Sequence, residues 1–292
     1  MLIAKLALLV PLGVLAAAFS AFWARELRAH ADAPRKPSLA ECAIGFLTDF
    51  LDTLGIGSFA TTTALFRLRN LVPDRLLPGT LNVGHALPTV AQALIYIAII
   101  EVDPVTLASL IGASALGAYL GASRVSHWPM RAVQVGMGAS LLAAASLLLL
   151  RLLEWLPPGG DATGLAGWLL VLGVAGNLIL GALMTIGVGL YAPCMILVSL
   201  LGMNPKAAFP IMMGSCAFLM PVASLRFVRA QSYSPAAAIG LTLGGVPGVL
   251  IAAYVVRELP LDALRWLVLI IAVYTGISLL RAARRVALSE SR

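Results

Sequence analysis

Long apolar runs alternate with short, arginine-rich loops along the whole chain. Several runs reach or approach the roughly 20 residues that span a bilayer, so we expect them to form membrane helices. A signal peptide is the alternative for the first run, but its length and its single preceding lysine, Lys5, favour a membrane helix. The predicted spans are 3–23, 41–66, 80–100, 104–123, 132–150, 168–201, 208–225, 235–256 and 261–280.

Composition agrees with this pattern. Of the 292 residues, 60% are hydrophobic and 11% charged, whereas soluble domains carry about 25% charged residues. The net charge of +7 comes mostly from arginines in the loops, where they act as topology signals, so nucleic-acid binding is not expected. The three cysteines lack metal-ligand spacing, and no disulfide, metal or cofactor is expected. The chain is predicted to be a polytopic membrane protein.

Two spans, 41–66 and 168–201, are longer than one crossing requires, and each has a G-x-G in its middle. The glycine pairs, Gly55 and Gly57 in one span and Gly187 and Gly189 in the other, lie 132 residues apart. Two proline pairs also align at this offset. After a one-residue gap in the alignment, a further proline pair and a glycine pair align as well. This self-similarity predicts an ancient duplication. The aligned pairs are Pro73/Pro205, Pro78/Pro210, Pro104/Pro235 and Gly117/Gly248.

Loop charges predict how the two long spans lie in the membrane. If each span enters, breaks at its glycines and returns, fifteen of the 20 basic residues fall on the cytoplasmic side, as does the C-terminus. Simple tilted crossings are the alternative. The predicted fold is an all-α polytopic membrane protein with two inverted-topology repeats. Each repeat has a broken or re-entrant helical hairpin followed by three membrane helices, and an N-terminal membrane helix precedes both. This architecture is typical of secondary transporters.

The predicted domains follow from this topology. They are an N-terminal membrane helix with a cytoplasmic linker (1–40), a first transport repeat (41–153), an extracytoplasmic linker (154–167), a second transport repeat (168–281) and a cytoplasmic tail (282–292).

The broken spans are the candidate binding site. A half-helix that begins at a break directs free N–H groups and a positive dipole end at the break, which suits an anion without a buried basic residue. Hydroxyl groups follow the first break and can donate hydrogen bonds, although back-bonding to their own helix is the alternative for each. The predicted substrate-binding residues are Gly55, Gly57, Ser58, Thr61, Thr62, Asn82, His85, Gly187, Gly189, Tyr191 and Ser215.

Two carboxylates in the first long span are the candidate proton-coupling residues. Asp49 and Asp52 lie about one turn apart and share a helix face. Charge deep in a span is costly, which favours a function, and the alternative is a shallow position near the start of the hairpin. His85 could relay protons, because imidazole titrates near neutral pH, or could be a packing residue.

The halves resemble the sulfite exporter TauE/SafE family, also called the toluene sulfonate uptake permease family. The second half carries the resemblance best, in "GVGLYAPCMILVSLLGMNPKAAFPIMMGSCAFL" at 187–219. Gly214-Ser215 stands where that family has a Thr-Ser pair, while Ser58-Phe59 and Leu190-Tyr191 replace its later glycines. The resemblance implies movement of sulfite, a sulfonate such as sulfoacetate, or a similar small sulfur-containing anion across the bacterial inner membrane, with export as the expected direction.

Three other functions remain open at this stage. Re-entrant hairpins also build passive anion channels. A membrane-embedded hydrolase would use Ser58 and His85, but no G-x-S-x-G elbow surrounds the serine, so no catalytic residue is predicted. A scaffold subunit would not need hydroxyl-lined helix breaks. The expected partners are the anion and the bilayer, and a homodimer is one option.

Overall fold

The computed structural model describes residues 2–29, 36–55, 57–155, 159–187, 189–255 and 261–290. Within these ranges the chain is helical and forms no strand. Parts of the predicted 1–40 and 154–167 regions lie outside the described residues. So do Ile56 and Val188, which are the middle positions of the two G-x-G pairs, and the last two residues of the predicted tail.

Helices α1 to α11 follow one another along the chain. Among the described residues, seven helices are long and apolar enough to cross a membrane, which confirms the predicted multi-pass helical class; they are α1, α4, α5, α6, α7, α9 and α10. The helices are α1 (Leu2–Ala29), α2 (Leu39–Thr53), α3 (Phe59–Leu68), α4 (Leu77–Ile99), α5 (Pro104–Val125), α6 (Met130–Leu152), α7 (Gly167–Met184), α8 (Tyr191–Leu200), α9 (Ala208–Arg229), α10 (Pro235–Val255) and α11 (Leu261–Glu290).

Both long spans break at their glycines. The first separates into α2 and α3, and the second into α7 and α8. Gly55, Gly57 and Gly187 have φ values of 82°, 87° and 98°, in the left-handed region that residues with a Cβ rarely adopt. The glycines therefore allow the chain to leave one helix and start the next within a few residues.

The first broken span forms a hairpin. α2 and α4 both start beside the N-terminal part of α10, since the Cα of Gly45 and that of Gly84 each lie against Leu241. The two helices run parallel, because Asp49 pairs with His85 and, further along, Asp52 pairs with Gln92. α3 must therefore bring the chain back to the end of the bundle where α2 began.

The second broken span also forms a hairpin, which begins at the opposite end of the bundle, beside the N-terminus of α5. The segments before α7 and α9 meet there, where the Asn204 N–H donates to the Ala162 carbonyl at 2.8 Å. Both helices then pack along α5: Gly181 abuts the Ser114 backbone and Gly214 abuts Ile111. α8 thus returns the chain to the end where α7 began.

Close helix contacts hold the hairpins in the bundle. α4 and α9 are the most buried of the candidate spans and pack against each other, while α2 lies on α10 and α7 on α5. Glycines allow these close approaches: a Cβ at Gly244 would lie 1.8 Å from the Cys42 carbonyl oxygen, and one at Gly117 would lie 1.9 Å from that of Leu178. α1 is peripheral and attaches through the Trp23 indole, which donates to the Tyr233 hydroxyl at 3.2 Å.

Two helices extend beyond the predicted spans. α1 continues to Ala29 rather than ending near residue 23, and α11 continues to Glu290, so most of the predicted tail is helical. Alanine, leucine, arginine and glutamate are strong helix formers and dominate both extensions. Loss of hydrophobicity marked the expected end of the span, but it does not end the helix.

Candidate functional site

A narrow cavity of about 10 Å³ lies between the two helix breaks. The first turns of α3 and α8 form its walls at matching positions 132 residues apart. The matched lining residues are Gly57, Ser58 and Phe59 from the first hairpin and Gly189, Leu190 and Tyr191 from the second, and Asp52, Thr89, Met184, Cys216 and Met220 complete the lining.

No side chain caps the start of either half-helix. Ser58 occupies the N-cap of α3 but its hydroxyl makes no capping bond, and Leu190 at the N-cap of α8 has no polar group. The first-turn N–H groups of a helix have no partner within the helix and carry its positive dipole end. Two such ends meet at this cavity, which is the arrangement that favours a bound anion.

A wider groove leads from the breaks along α6. It has a volume of about 70 Å³ and shares Gly57, Phe59, Gly189 and Tyr191 with the cavity. From Leu141 it follows α6 to Arg151, whose guanidinium contacts the Met195 sulfur. The groove thus connects the cavity to the guanidinium group of Arg151 at the far end of α6.

Behind the cavity, a buried carboxylate pairs with the histidine. Both oxygens of Asp49 lie 2.9 Å from Nδ1 of His85, and Nε2 of His85 lies 3.1 Å from the Thr62 hydroxyl. The three side chains have no exposed surface. Asp49 and Thr62 thus hold the imidazole from both sides, and the cluster joins α2, α3 and α4.

A second set of hydrogen bonds joins the two hairpins. The Gln92 amide N–H₂ donates to Asp52 Oδ2 and to the Thr53 hydroxyl, each at 3.0 Å, and the Tyr191 hydroxyl donates to the Gln92 carbonyl oxygen at 2.6 Å. The side chain of Ser58 also faces the Asp52 carboxyl group. Asp52 lines the cavity, so this network links the cavity wall of the first hairpin to that of the second.

Most of the predicted site residues lie in these places. Gly57, Ser58, Gly189, Tyr191 and Asp52 line the cavity, Gly55 lines the groove, and Asp49, Thr62 and His85 form the cluster behind. Asp52 is in the last turn of α2 beside the break, which does not fit a shallow position at the start of the hairpin.

Four predicted residues lie apart from the cavity. The Thr61 hydroxyl donates to the Ser58 carbonyl, and the Asn82 amide to the Pro78 carbonyl, both at 2.8 Å, which is the back-bonding alternative for polar side chains in membrane helices. Ser215 accepts a hydrogen bond from Asn177 at 2.9 Å, and Gly187 packs against Met137. These residues shape the helices and their packing.

The pair that a hydrolase would need is not formed. The second nitrogen of His85 contacts Thr62 rather than Ser58. Thr62, His85 and Asp49 are connected like a nucleophile, base and orienting acid. However, none of the three lines the cavity or the groove, so a substrate in either space would not reach the hydroxyl.

Several polar residues at the site were not predicted as ligands. Gln92 and Tyr96 follow His85 at i+7 and i+11, on one face of α4, and this spacing was the signal that could have found them. Tyr96 donates to the Thr53 carbonyl at 2.8 Å. Asn177 and Arg151 gave no such signal, because each is isolated in an apolar run.

No protein-family model, curated protein or solved structure matches this chain. The site is therefore assigned from its own geometry and chemistry.

Proposed function

We propose that the chain is a secondary transporter that binds a small anion between its two helix breaks and moves it across the membrane. The observation that carries the proposal is the cavity lined at matching positions by the uncapped first turns of α3 and α8. Broken helices whose free ends meet at a binding site are a recurring transporter device.

Equivalent contacts in the two halves support an inverted repeat. A Cβ on Gly248 would meet the Phe46 carbonyl oxygen at 2.4 Å, and one on Gly117 would meet the Leu178 carbonyl oxygen at 1.9 Å. These contacts join residues that align in the predicted duplication. In the proposed topology, 41–153 and 168–281 are the repeats, both hairpins are re-entrant from opposite faces, and the C-terminus is cytoplasmic, as the positive-inside rule favours.

The proposed substrate is a small sulfur-containing anion such as sulfite or a sulfonate, exported across the bacterial inner membrane. The sequence resemblance supports this class. The cavity is small, and its remaining wall is formed by polarisable sulfur groups of Met184, Cys216 and Met220, which accept an apolar or soft portion of a ligand.

Asp52 supports a proton-coupled mechanism. Its side chain is 3% exposed and lines the cavity in which the anion would bind. A charged Asp52 would repel that anion, and a protonated Asp52 would not. Uptake of a proton would therefore accompany binding of the anion, and their release would be linked in the same way.

Reconstituted vesicles test this proposal. Uptake of radiolabelled sulfite, sulfate and sulfoacetate is measured into proteoliposomes with and without a pH gradient, and again with unlabelled anion inside. A transporter shows stimulated exchange and uptake above equilibrium when the gradient is imposed. Flux that never exceeds equilibrium would indicate a passive channel, and no flux of any anion would contradict the proposal.

A further inference from the structure

Gln92 is a buried amide whose two ends bind different hairpins. It is fully buried, its N–H₂ group faces Asp52 and Thr53 on α2, and its oxygen faces Tyr191 on α8. The Tyr191 hydroxyl also faces the Asp52 carboxyl group, so the amide, the carboxyl group and the hydroxyl form one cluster that joins α2, α4 and α8. The chemistry of an amide makes such a bridge sensitive to the state of its partners.

The observed orientation is the one that a charged Asp52 requires. A carboxylate only accepts hydrogen bonds, so the amide must direct its N–H₂ group toward it. The amide oxygen then faces Tyr191, whose hydroxyl has a single proton and donates it to that oxygen. In this state Tyr191 has no proton left to donate to a ligand in the cavity.

A protonated Asp52 permits the opposite orientation. The carboxyl O–H can donate to the amide oxygen, and the amide N–H₂ group then donates to the Tyr191 oxygen. The Tyr191 hydroxyl keeps its own proton and is free to direct it at the cavity, which Tyr191 lines. The amide loses its bond to Thr53 in this opposite orientation. The observed orientation is therefore the more stable one while Asp52 is charged.

We propose that Gln92 is the positioning residue that links protonation of Asp52 to anion binding, by turning its amide and releasing the Tyr191 hydroxyl as a donor to the anion. This inference rests on the proposed function for the identity of the ligand. It adds a second reason for coupling to the loss of charge repulsion, namely a hydrogen-bond donor that exists only in the protonated state.

Other titratable groups surround this bridge. Asp49 and His85 lie one turn away and bind each other, Tyr96 on α4 binds the Thr53 carbonyl, and Cys216 on α9 contacts the Met184 sulfur. Cys194 on α8 is buried close to Cys216. Each of these groups except Cys194 has its own partner, and Asp52 is the carboxylate that the Gln92 amide contacts.

Fluorine NMR of a fluorotyrosine placed at position 191 tests the switch without any ligand. In the purified full-length protein the signal is expected to shift as the pH is changed through the titration of Asp52. The shift is expected to disappear in Asp52→Asn and Gln92→Leu. Thr53→Val, which removes a bond made only in the observed orientation, should move the transition to higher pH and serves if Gln92→Leu does not fold. Fluorotyrosine at Tyr233, bonded to Trp23, is the control and should not respond.

Anion binding separates this inference from the proposed function. Methanesulfonate, whose charge does not change with pH in this experiment, should bind Tyr191→Phe about tenfold more weakly than wild type on the acidic side of the Asp52 titration, with little difference on the alkaline side. A position-191 signal that ignores pH, or that titrates alike in wild type and Gln92→Leu, would overturn the inference even if anions bind. The expected NMR behaviour without binding of any anion would instead overturn the proposed function.

Discussion

The two hairpins share a backbone plan but differ in chemistry. The first contains Asp49, Asp52 and Ser58, and the second has Gly181, Met184 and Leu190 at the corresponding positions. Both hairpins present a helix start to the cavity, but only the first brings a carboxylate, Asp52, to it. The comparison separates two tasks in the proposed mechanism: both hairpins would form the anion site, and the first alone would supply the proton-binding carboxylate.

The packing against the two hairpins also differs. Asp49 on α2 faces Gly245 on α10, where a Cβ would lie 2.1 Å from Asp49 Oδ2. At the corresponding contact in the other half, Gly181 on α7 faces Ser114 on α5. In the first half the larger residue, Asp49, lies on the hairpin, whereas in the second half the larger residue, Ser114, lies on α5. A buried carboxylate was thus accommodated by a glycine on its neighbour.

The largest expected effect comes from filling the cavity that both hairpins line. A Cβ at Gly57 or Gly189 would meet no atom within 4 Å, and both residues line the cavity. Gly189→Leu should therefore abolish transport while leaving the melting temperature near wild type. Gly57→Leu should abolish transport and also lower stability by about 1–2 kcal/mol, because Gly57 has a left-handed φ.

Gly112→Leu is the matched control for both variants. Gly112 lies on the exposed face of α5 with no atom within 4 Å of its Cβ position, so this variant should transport normally. Loss of transport in step with loss of folded protein in Gly189→Leu would assign a packing role to that glycine.

Asp49→Asn should produce the next largest effect, a loss of stability. The second hairpin has no equivalent carboxylate, because Gly181 stands at the corresponding position. Asparagine keeps the size of the side chain but removes the charge that faces His85. We expect unfolding to become easier by roughly 1–3 kcal/mol, because a buried hydrogen-bonded partner is weakened. Thr62→Val should cost less, since its bond to His85 is a single contact at 3.1 Å. Equal melting temperatures for Asp49→Asn and wild type would argue against a tight pair.

Two glycines on α10 sharpen the comparison further. Gly245→Ala and Gly248→Ala should each destabilise the protein by about 1–3 kcal/mol through overpacking. Gly245 lies against the Asp49 carboxylate, whereas Gly248 lies against the Phe46 backbone. Only Gly245→Ala should therefore also change the pH dependence of transport. An identical pH profile in both variants would show that Gly245 acts through packing alone.

The smallest expected effect concerns the outer ends of the hairpins. Arg67 at the end of α3 pairs with Asp74 at 2.7 Å, and its side chain is 18% exposed. The second hairpin is tied at its end by the backbone bond from Asn204 to Ala162. Arg67→Gln should cost about 1 kcal/mol or less, as expected for a pair near the surface. A double-mutant cycle with Asp74→Asn measures this coupling, and a value well above that would mean that the pair fixes the hairpin.

Helices and breaks could be predicted from the sequence because they depend on local properties. Apolar run length set the spans, and the glycine pairs marked the breaks that separate Thr53 from Phe59 and Met184 from Tyr191. The partners of the polar residues could not be predicted in this way. Thr61 and Thr62 are adjacent, yet one bonds its own helix and the other bonds His85 on α4.

The hydrogen-bond partner of a buried polar side chain depends on how the whole bundle packs. Asp49 finds His85 36 residues away, and Tyr191 finds Gln92 99 residues away. The cost of charge deep in a span marked Asp52 as unusual, but it could not place the side chain beside the second hairpin. That placement requires α2, α4 and α8 to be packed together.

Counterflow and gradient-driven uptake in proteoliposomes made with Asp52→Asn test the central claim most directly. The variant lacks the ionisable group at the cavity but keeps the size and hydrogen-bonding capacity of the side chain. We predict anion exchange at a rate near wild type and no response to an imposed pH gradient. Gradient-driven uptake equal to that of wild type would contradict the claim that Asp52 couples protons to the anion.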